Sequence, residues 1–360
     1  MKELVIGNLT AKLPIVQGGM GIGISLSGLA SAIANEGGIG VISSVGVGLF
    51  EKDSSTQFMV ATKRALEREI RIAKEKSNGI LGVNAMVALT DFEELVRISI
   101  AADIDIVFAG AGLPLNLPAL RDENKPTKFV PIVSSGRAAA LLCKVWKEKH
   151  NYLPDAIVLE GPKAGGHLGF SREQLDNPEY DLEILMRSVK DNVRPFEEKY
   201  NQKIPLIVAG GIYDGADIHK FLSLGADAVQ MSTRFVTTHE CDASIDFKNT
   251  YVNAKVEDVG IISSPVGMPG RAIWNDFLDK VRRGEKHPIN CHYHCLKTCD
   301  YKTAPYCILQ ALLSAAKGKM EMGFAFAGIN AFKSNKIVSV HESVEELLME
   351  YQQAKDSSKN

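Results

Sequence analysis

The sequence predicts an α/β protein built as a (β/α)8 TIM barrel, and two observations support that class. Eight short apolar runs, rich in β-branched residues, alternate with longer stretches of helical pattern. Parallel strands that helices cover on both faces have this nearly continuous apolar composition. The glycine-rich turns at 18–23 and 110–112 do not contain the G-x-G-x-x-G fingerprint of dinucleotide-binding folds. We therefore favour a closed barrel over an open doubly wound sheet.

The predicted strands and helices alternate along the first two thirds of the chain. The strands are 13–16, 39–43, 80–86, 105–109, 129–133, 156–160, 205–209 and 228–231. Amphipathic spacing and end signals, such as glycines 37 and 38 after the first helix, predict the helices. They are 26–36, 56–76, 90–102, 137–149, 181–200 and 214–224. Thr90 and Glu93 form a capping-box pattern, and Pro195 is expected to break its helix.

The chain is longer than a barrel requires. Residues 1–255 are assigned to the barrel, 256–320 to an inserted cap lobe after strand eight, and 321–360 to a C-terminal return to the barrel. The cap lobe is predicted because a stretch this long, carrying Pro, Gly, His and Cys, exceeds one barrel helix. The return is predicted from apolar runs at 323–331 and 337–340 and a helix at 343–354.

Composition excludes several classes of protein. The 360 residues are 45% hydrophobic and 23% charged with a formal net charge of −2, values of an ordinary globular protein. Because the net charge gives no overall positive electrostatic field, nucleic acid is not expected as the main partner. Runs long enough for a membrane helix are absent, and Glu3, Lys12 and Gln17 interrupt any signal-peptide core. Six cysteines in this length are not a disulfide scaffold, so we expect a cytoplasmic protein.

The functional site of such a barrel lies at the carboxyl ends of its strands. Glycines follow most of the predicted strands, and a glycine there lets the backbone approach a ligand closely. Donors after strands seven and eight are predicted to bind a phosphate, which we favour over plain tight turns. These donors are Gly210, Gly211, Ser232 and Thr233.

His167 is the candidate catalytic residue. It follows the sixth strand between Gly166 and Gly169, where a histidine that titrates near neutral pH can serve as a general base. An ordinary histidine in an exposed loop is the alternative. Asn84, at the end of the third strand, could bond to the polar edge of a ring or close a local turn.

Six motifs are spread over most of the chain. They are PIVQGGMG at 14–21, GVNAM at 82–86, GPKAGGHLG at 161–169, PLIVAGGI at 205–212, GADAVQMSTRF at 225–235 and GFAFAGINA at 323–331. Together they resemble the nitronate monooxygenase (2-nitropropane dioxygenase) family and the related FMN-dependent enoyl-acyl-carrier-protein reductases. The set is specific for the superfamily and much less specific for the reaction.

The resemblance implies one FMN per subunit and no metal. Carried over by position, the implied cofactor-binding residues are Gln17, Gly18, Gly19, Met20, Asn84, Glu160, Gly165, Gly210, Gly211, Gln230, Met231, Ser232 and Thr233. The first four would back the isoalloxazine ring, and Glu160 stands where many relatives have glutamine. His167 matches the catalytic histidine of the family. Lys163 departs from the usual Glu or Gly, and we expect it either to attract an anionic substrate or to remain an exposed, solvated lysine.

The resemblance also implies the reaction. Alkyl nitronates, with nitroalkanes as further substrates, would react with O2 to give carbonyl compounds and nitrite, in a cytoplasmic enzyme that is a candidate homodimer. His167 would take the α-proton of a nitroalkane and would orient a nitronate. Two alternatives remain open: an FMN- and NAD(P)H-dependent enoyl-thioester reductase, and a non-catalytic flavin-binding or redox-sensing protein.

Four cysteines, Cys291, Cys295, Cys299 and Cys307, lie close together in the sequence. Their spacing fits neither a zinc ribbon nor a ferredoxin. In a helix the first three would share one face, where they could hold a metal or cluster, or line an interface as buried thiols. The second alternative is favoured, and the predicted sites include no metal. Arg271, upstream of them, is expected to form a salt bridge within the cap rather than to contact a ligand.

Overall fold

Eight parallel strands close into a barrel in the computed structural model, which describes residues 1–287, 289, 291 and 293–358. The strands, numbered β1 to β8, are Ile15–Gln17, Ile39–Ser43, Ile80–Met86, Ile106–Gly110, Lys128–Val133, Ile157–Glu160, Leu206–Ala209 and Ala228–Met231. The closure is between β8 and β1, where Val229 lies opposite Ile15. The predicted fold class is therefore confirmed.

Most of the helices surround the barrel and cover its outer face. The helices are α1 Ser27–Asn35, α2 Phe58–Lys76, α3 Phe92–Ala101, α4 Gly136–His150, α5 Leu182–Tyr200, α6 Gly215–Ser223, α7 Thr233–Val236, α8 Ile245–Val252, α9 Asp276–Arg282, α10 Ile308–Ala316 and α11 Val340–Ser357. Two of them, α9 and α10, instead pack together over the barrel mouth. The C-terminal α11 packs between α6 and α1, so it fills the position of the last barrel helix. None of the helices within the described ranges is long and apolar enough to cross a membrane.

Two predicted helix features are wrong. Pro195 does not break α5, which continues through it. Pro195 and Asp191, whose carbonyl loses its donor there, are both exposed, so water can replace the missing hydrogen bond. Thr90 does not cap α3, because the N-cap position is Asp91 and the Thr90 hydroxyl instead donates to the carbonyl of His294.

A small antiparallel sheet, here called the cap sheet, covers one side of the barrel mouth. Its strands are Val259–Ser263, Pro269–Ile273, Ala325–Phe326 and Gly166–His167. The segment at 325–326, expected to return to the barrel, joins this sheet instead, because its partners are Ala272 and Ile273. The division of the chain at 255 and 320 stays a prediction.

An N-terminal hairpin, Leu4–Ile6 paired with Leu9–Ala11, closes the opposite end of the barrel. Leu4 and Ile6 are buried among the inward-facing side chains of the strands, including Phe108. Apolar side chains thus fill the N-terminal half of the barrel interior. A ligand of the barrel therefore has to enter from the carboxyl ends of the strands.

Candidate functional site

A cavity of about 570 Å³ lies at the carboxyl ends of the strands. Its floor consists of the loops that follow the strands, and its roof consists of the cap sheet, α10 and the segment at 295–298. The volume lies within the range of cofactor and substrate sites. Polar groups occur mainly on the floor, and the roof is mainly apolar.

Most of the predicted site residues line this one cavity. They are Gly18, Gly19, Met20, Asn84, Glu160, Gly165, His167, Gly210, Gly211, Gln230, Met231, Ser232 and Thr233. Gln17 and Lys163 are not among the lining residues. The topology brings these distant segments together because parallel barrel strands all end at the same rim.

Gln17 is fully buried and lies on the same face of β1 as Ile15, opposite the inward-facing Val16. Its Oε1 accepts a hydrogen bond of 2.9 Å from the backbone N–H of Val41, which ties β1 to β2. Lys163 lies on the outer side of its loop, with its Nζ 3.7 Å from a carboxylate oxygen of Asp181. The side chain of Lys163 is half exposed, so the structure does not bring this ammonium group to the cavity.

The ends of β1 and β8 pack closely against each other, as do the loops after β6 and β7. Gly18 donates its N–H to the carbonyl of Met231 at 2.8 Å, and a Cβ atom on Gly18 would lie 2.3 Å from the hydroxyl of Ser232. Gly210 and Gly211 have φ angles of 99° and 87°, in the region that favours glycine. A Cβ atom on Gly210 would also lie 2.8 Å from the carbonyl of Gly161. At Gly210 only glycine fits without displacing the neighbouring loop, whereas a methyl group at Gly18 would displace the hydroxyl of Ser232.

His167 is held at the rim by the cap sheet. It pairs with Gly270, and its Nε2 lies 2.7 Å from the hydroxyl of Ser264, while the edge of Phe326 contacts its ring. Burial lowers the pKa of His167 to about 4, because the site disfavours the charged imidazolium. The imidazole is therefore neutral at pH 7 and can accept a proton or share one in a hydrogen bond.

Glu160 ends β6 and lines the cavity floor. Burial raises its pKa to about 7, and no cation among the described residues offsets the cost of burying the carboxylate. The carboxyl group therefore changes between neutral and anionic forms close to neutral pH. A titratable group of this kind in a cavity is a mark of functional sites.

Arg271 is buried and fixes the loop between Glu160 and His167. Its Nη1 donates to the carbonyls of Pro162 and Ala164, at 2.6 and 2.7 Å. The expectation that Arg271 forms a salt bridge is wrong for the described residues, because its hydrogen-bond acceptors are backbone oxygens. Burial lowers the pKa of this guanidinium. The arginine thus positions the loop that carries both titratable groups of the site.

The roof over the other half of the cavity includes the cysteine-rich segment. An antiparallel bridge joins Leu296 to Leu89, in the loop after β3, and Thr90 donates its N–H to the carbonyl of Cys295. Ile308, Leu309 and Leu312 of α10 line the cavity beside Cys295.

The helix considered for the cysteines does not form. Residues 293–307 are irregular, and all six cysteines are free thiols. Burial raises the pKa of Cys295 to about 12, so this thiol is neutral at pH 7. Across the part of the chain that the structure describes, which omits His292, three or more metal-ligating side chains do not meet as a metal site.

A family model described as nitronate monooxygenase matches residues 2–350. The chain belongs to the nitronate monooxygenase family. Proteins named probable nitronate monooxygenase from Staphylococcus saprophyticus and Staphylococcus aureus are 25% and 26% identical over 303 and 313 residues. Those matches cover 77% of this chain and 80% and 79% of the two relatives.

Solved structures agree with this family assignment at the level of the fold. FabK from Thermotoga maritima matches with a TM-score of 0.75 and 25% identity, over 97% of this chain and 96% of that chain. A nitroalkane oxidase from Streptomyces ansochromogenes matches with a TM-score of 0.70 and 20% identity, over 96% and 98%. This member of the nitronate monooxygenase family is therefore an oxidoreductase, which disfavours the alternative of a non-catalytic flavin protein.

Sequence reasoning missed several residues of the site in this nitronate monooxygenase family member. Phe326, Tyr251 and the apolar face of α10 all line the cavity. The apolar composition of 308–316 predicts a buried helix, but it does not say what that helix covers. The comparisons concern whole chains, so the roles of single residues in the site stay predictions.

Proposed function

We propose that this protein uses FMN to oxidise alkyl nitronates with O2, giving carbonyl compounds and nitrite. The observation that carries the proposal is that one cavity at the strand ends is lined both by the loops after β7 and β8, which offer backbone donors, and by His167. Membership of the nitronate monooxygenase family supports the reaction class. The name of the family specifies nitronates as substrates, and a cavity of this volume has room for a small anion beside a cofactor.

The floor of the cavity fits FMN. A phosphate would be held by the backbone N–H groups of Gly210 and Gly211 and by the donors of Ser232 and Thr233. The ring would lie beside the backbone at Gly18 and Gly19, which line the cavity and where a Cβ atom would collide with Ser232 or Asn84. FMN supplies the electron-transfer chemistry to the substrate and O2 when it is bound.

The side chains of the protein orient the substrate and accept its proton. The neutral imidazole of His167, with Nε2 bonded to Ser264, can hydrogen-bond to a nitronate oxygen or accept the α-proton of a nitroalkane. Phe326 and the roof of α10 exclude water from the space above the floor. Glu160 adjusts the charge of the cavity around pH 7.

The test measures O2 uptake and nitrite release with alkyl nitronates by purified, FMN-containing protein, without NADH or NADPH. We expect turnover with nitrite formation and about one FMN per chain by its absorbance. Protein that contains FMN and releases no nitrite from any nitronate would contradict the proposal. The Gly210→Ala variant should lose FMN, because the added methyl group meets the carbonyl of Gly161.

Reduction of enoyl thioesters with NAD(P)H is the second candidate. FabK from Thermotoga maritima favours it, since that structure matches nearly the whole of both chains at 25% identity. The same protein sample is mixed with NADH or NADPH and an enoyl thioester. Rapid oxidation of the nicotinamide without nitrite release from nitronates would favour this second function over the first.

A further inference from the structure

The cavity offers no cation to a substrate. Within the described chain, neither a lysine nor an arginine is among its lining residues. The nearest candidates are engaged elsewhere: Lys163 lies beside Asp181, Lys297 donates to the carbonyl of Val87, and Arg271 is buried against loop carbonyls. A substrate that carries a carboxylate on its tail would lose its hydration here without gaining a counter-charge.

Glu160 adds to this discrimination. Its carboxyl group lines the same cavity, and above pH 7 it is largely an anion. A second anion on the substrate tail would meet that charge in a poorly hydrated space, where like charges repel strongly. The charge distribution of the cavity therefore disfavours carboxylated nitronates such as propionate 3-nitronate.

The roof offers an apolar surface instead. Ile308, Leu309 and Leu312 lie on α10 at the spacing i, i+1 and i+4, and all three line the cavity. Leu296 and Leu89, joined by the antiparallel bridge, extend the surface toward the loop after β3. We call these five side chains the α10 wall. Apolar chains that leave water against such a wall gain free energy in proportion to the area they bury.

Packing of α10 does not by itself explain the wall. Leu309 and Leu313 belong to the same buried cluster with Ile22 and Leu49, and their exposed fractions are 5% and 8%. Leu309 lines the cavity, however, whereas Leu313 does not. The two leucines thus share a helix, a buried cluster and similar burial, but only Leu309 contacts the cavity.

We propose that the α10 wall binds the uncharged alkyl chain of the substrate, and that Leu309 and Leu312 set the chain length that the enzyme accepts. This inference rests on the proposed function, which it narrows to nitronates with apolar tails. Carboxylated nitronates are the poorer substrates in this scheme.

The experiment measures kcat/KM for nitronates of nitroethane, 1-nitropropane, 1-nitrobutane and 1-nitrohexane, and for propionate 3-nitronate, at pH 8. In the wild-type protein kcat/KM should rise by about fourfold for each added methylene that reaches the wall. Propionate 3-nitronate should be at least about tenfold poorer than 1-butyl nitronate, because its carboxylate is buried without a partner.

Two matched variants assign the effect to the wall. Leu309→Ala should flatten the dependence on chain length, and Leu313→Ala should keep the wild-type slope, although both lose thermal stability through a buried cavity. Leu312→Trp should shift the preference to shorter chains by filling the space. Equal slopes in the two alanine variants, or a wild-type preference for propionate 3-nitronate, would overturn the inference.

A binding assay separates this inference from the proposed function. The FMN-containing protein is titrated with straight-chain primary amides of two to six carbons, and the change in flavin absorbance gives each Kd. Tighter binding of longer amides in the wild type and in Leu313→Ala, but not in Leu309→Ala, supports the wall even if no nitronate is oxidised. Chain-independent Kd values in all three proteins would reject the wall while leaving nitronate oxidation intact.

Discussion

Glu160 shows how one buried carboxyl group links the site to the stability of the fold. Its ordinary pKa of 4.5 is raised to about 7 by burial. Since the folded state holds the proton more tightly than the unfolded state, the stabilising contribution is fully present below pH 4.5 and is lost as pH rises through 7. The size of the loss follows from the raised pKa and is at most about 3–4 kcal/mol.

Glu160→Gln should remove this dependence. The free energy of unfolding by urea, measured at pH 4.5 and 8 without added FMN, should fall less in the variant than in the wild type. The difference between the two proteins should approach about 2–3 kcal/mol at pH 8. Glu179→Gln is the control, because the carboxyl group of Glu179 is exposed, and this variant should follow the wild type. Parallel pH profiles for Glu160→Gln and the wild type would show that the carboxyl group is not buried as described.

His167 is the second residue whose role can be isolated. Neutral imidazole is needed to accept a proton from a nitroalkane, whereas a nitronate is already deprotonated. His167→Ala should therefore lower kcat/KM for nitroethane by about 100-fold or more, and for ethyl nitronate by much less. Because burial lowers the pKa of His167 to about 4, protonation of this group should not limit the wild-type rate between pH 6 and 8. Equal losses on both substrates would rule out the role of proton acceptor.

Elements were predictable where local pattern decides them. The runs at 39–43, 80–86 and 228–231 coincide with β2, β3 and β8, because continuous burial on both faces leaves a distinct apolar signal. The antiparallel partner of 325–326 was not predictable, because pairing between strands far apart in sequence has no local signature. The placement of Gln17 was missed for a related reason, since the pleat of a three-residue strand decides which face of the sheet its side chain takes.

The loop from Glu160 to His167 is an element whose shape depends on one buried side chain. Arg271 binds two of its carbonyls, and the short strand Gly166–His167 pairs with the strand that carries Arg271. Arg271→Met would leave both carbonyls without this donor and should destabilise the protein by about 2–4 kcal/mol.

The same substitution should weaken FMN binding, because the loop carries Glu160, Gly165 and His167 into the cavity wall. We expect a Kd for FMN at least about tenfold higher, measured by flavin fluorescence quenching, which corresponds to about 1.4 kcal/mol. Arg282→Met, on the exposed face of α9, is the matched control and should change neither stability nor Kd. Unchanged FMN affinity in Arg271→Met would mean that the loop keeps its shape without the guanidinium.

At the scale of the whole molecule, one end of the barrel is open to a ligand and the other end is closed. The carboxyl ends of the strands carry a cavity, and the other end is closed by the N-terminal hairpin. Predicting the barrel from sequence was sufficient to expect a cavity at the carboxyl ends of the strands, where the structure has one. The hairpin itself was missed, because strands of three residues are too short for an alternating pattern to be distinguished from a loop.

The hairpin should contribute stability without contributing to catalysis. Leu4 and Ile6 are 2% and 1% exposed, whereas Val5 between them is 52% exposed. Leu4→Ala should lower the free energy of unfolding by about 2–4 kcal/mol through a cavity in the barrel interior, and Val5→Ala should change it by about 0.5 kcal/mol or less. Urea denaturation measures both values, and FMN content and kcat/KM of the folded fraction should match the wild type in each variant. If Leu4→Ala instead altered kcat/KM at unchanged FMN content, the closed end of the barrel would be coupled to the site, and the separation of stability at one end from chemistry at the other would be wrong.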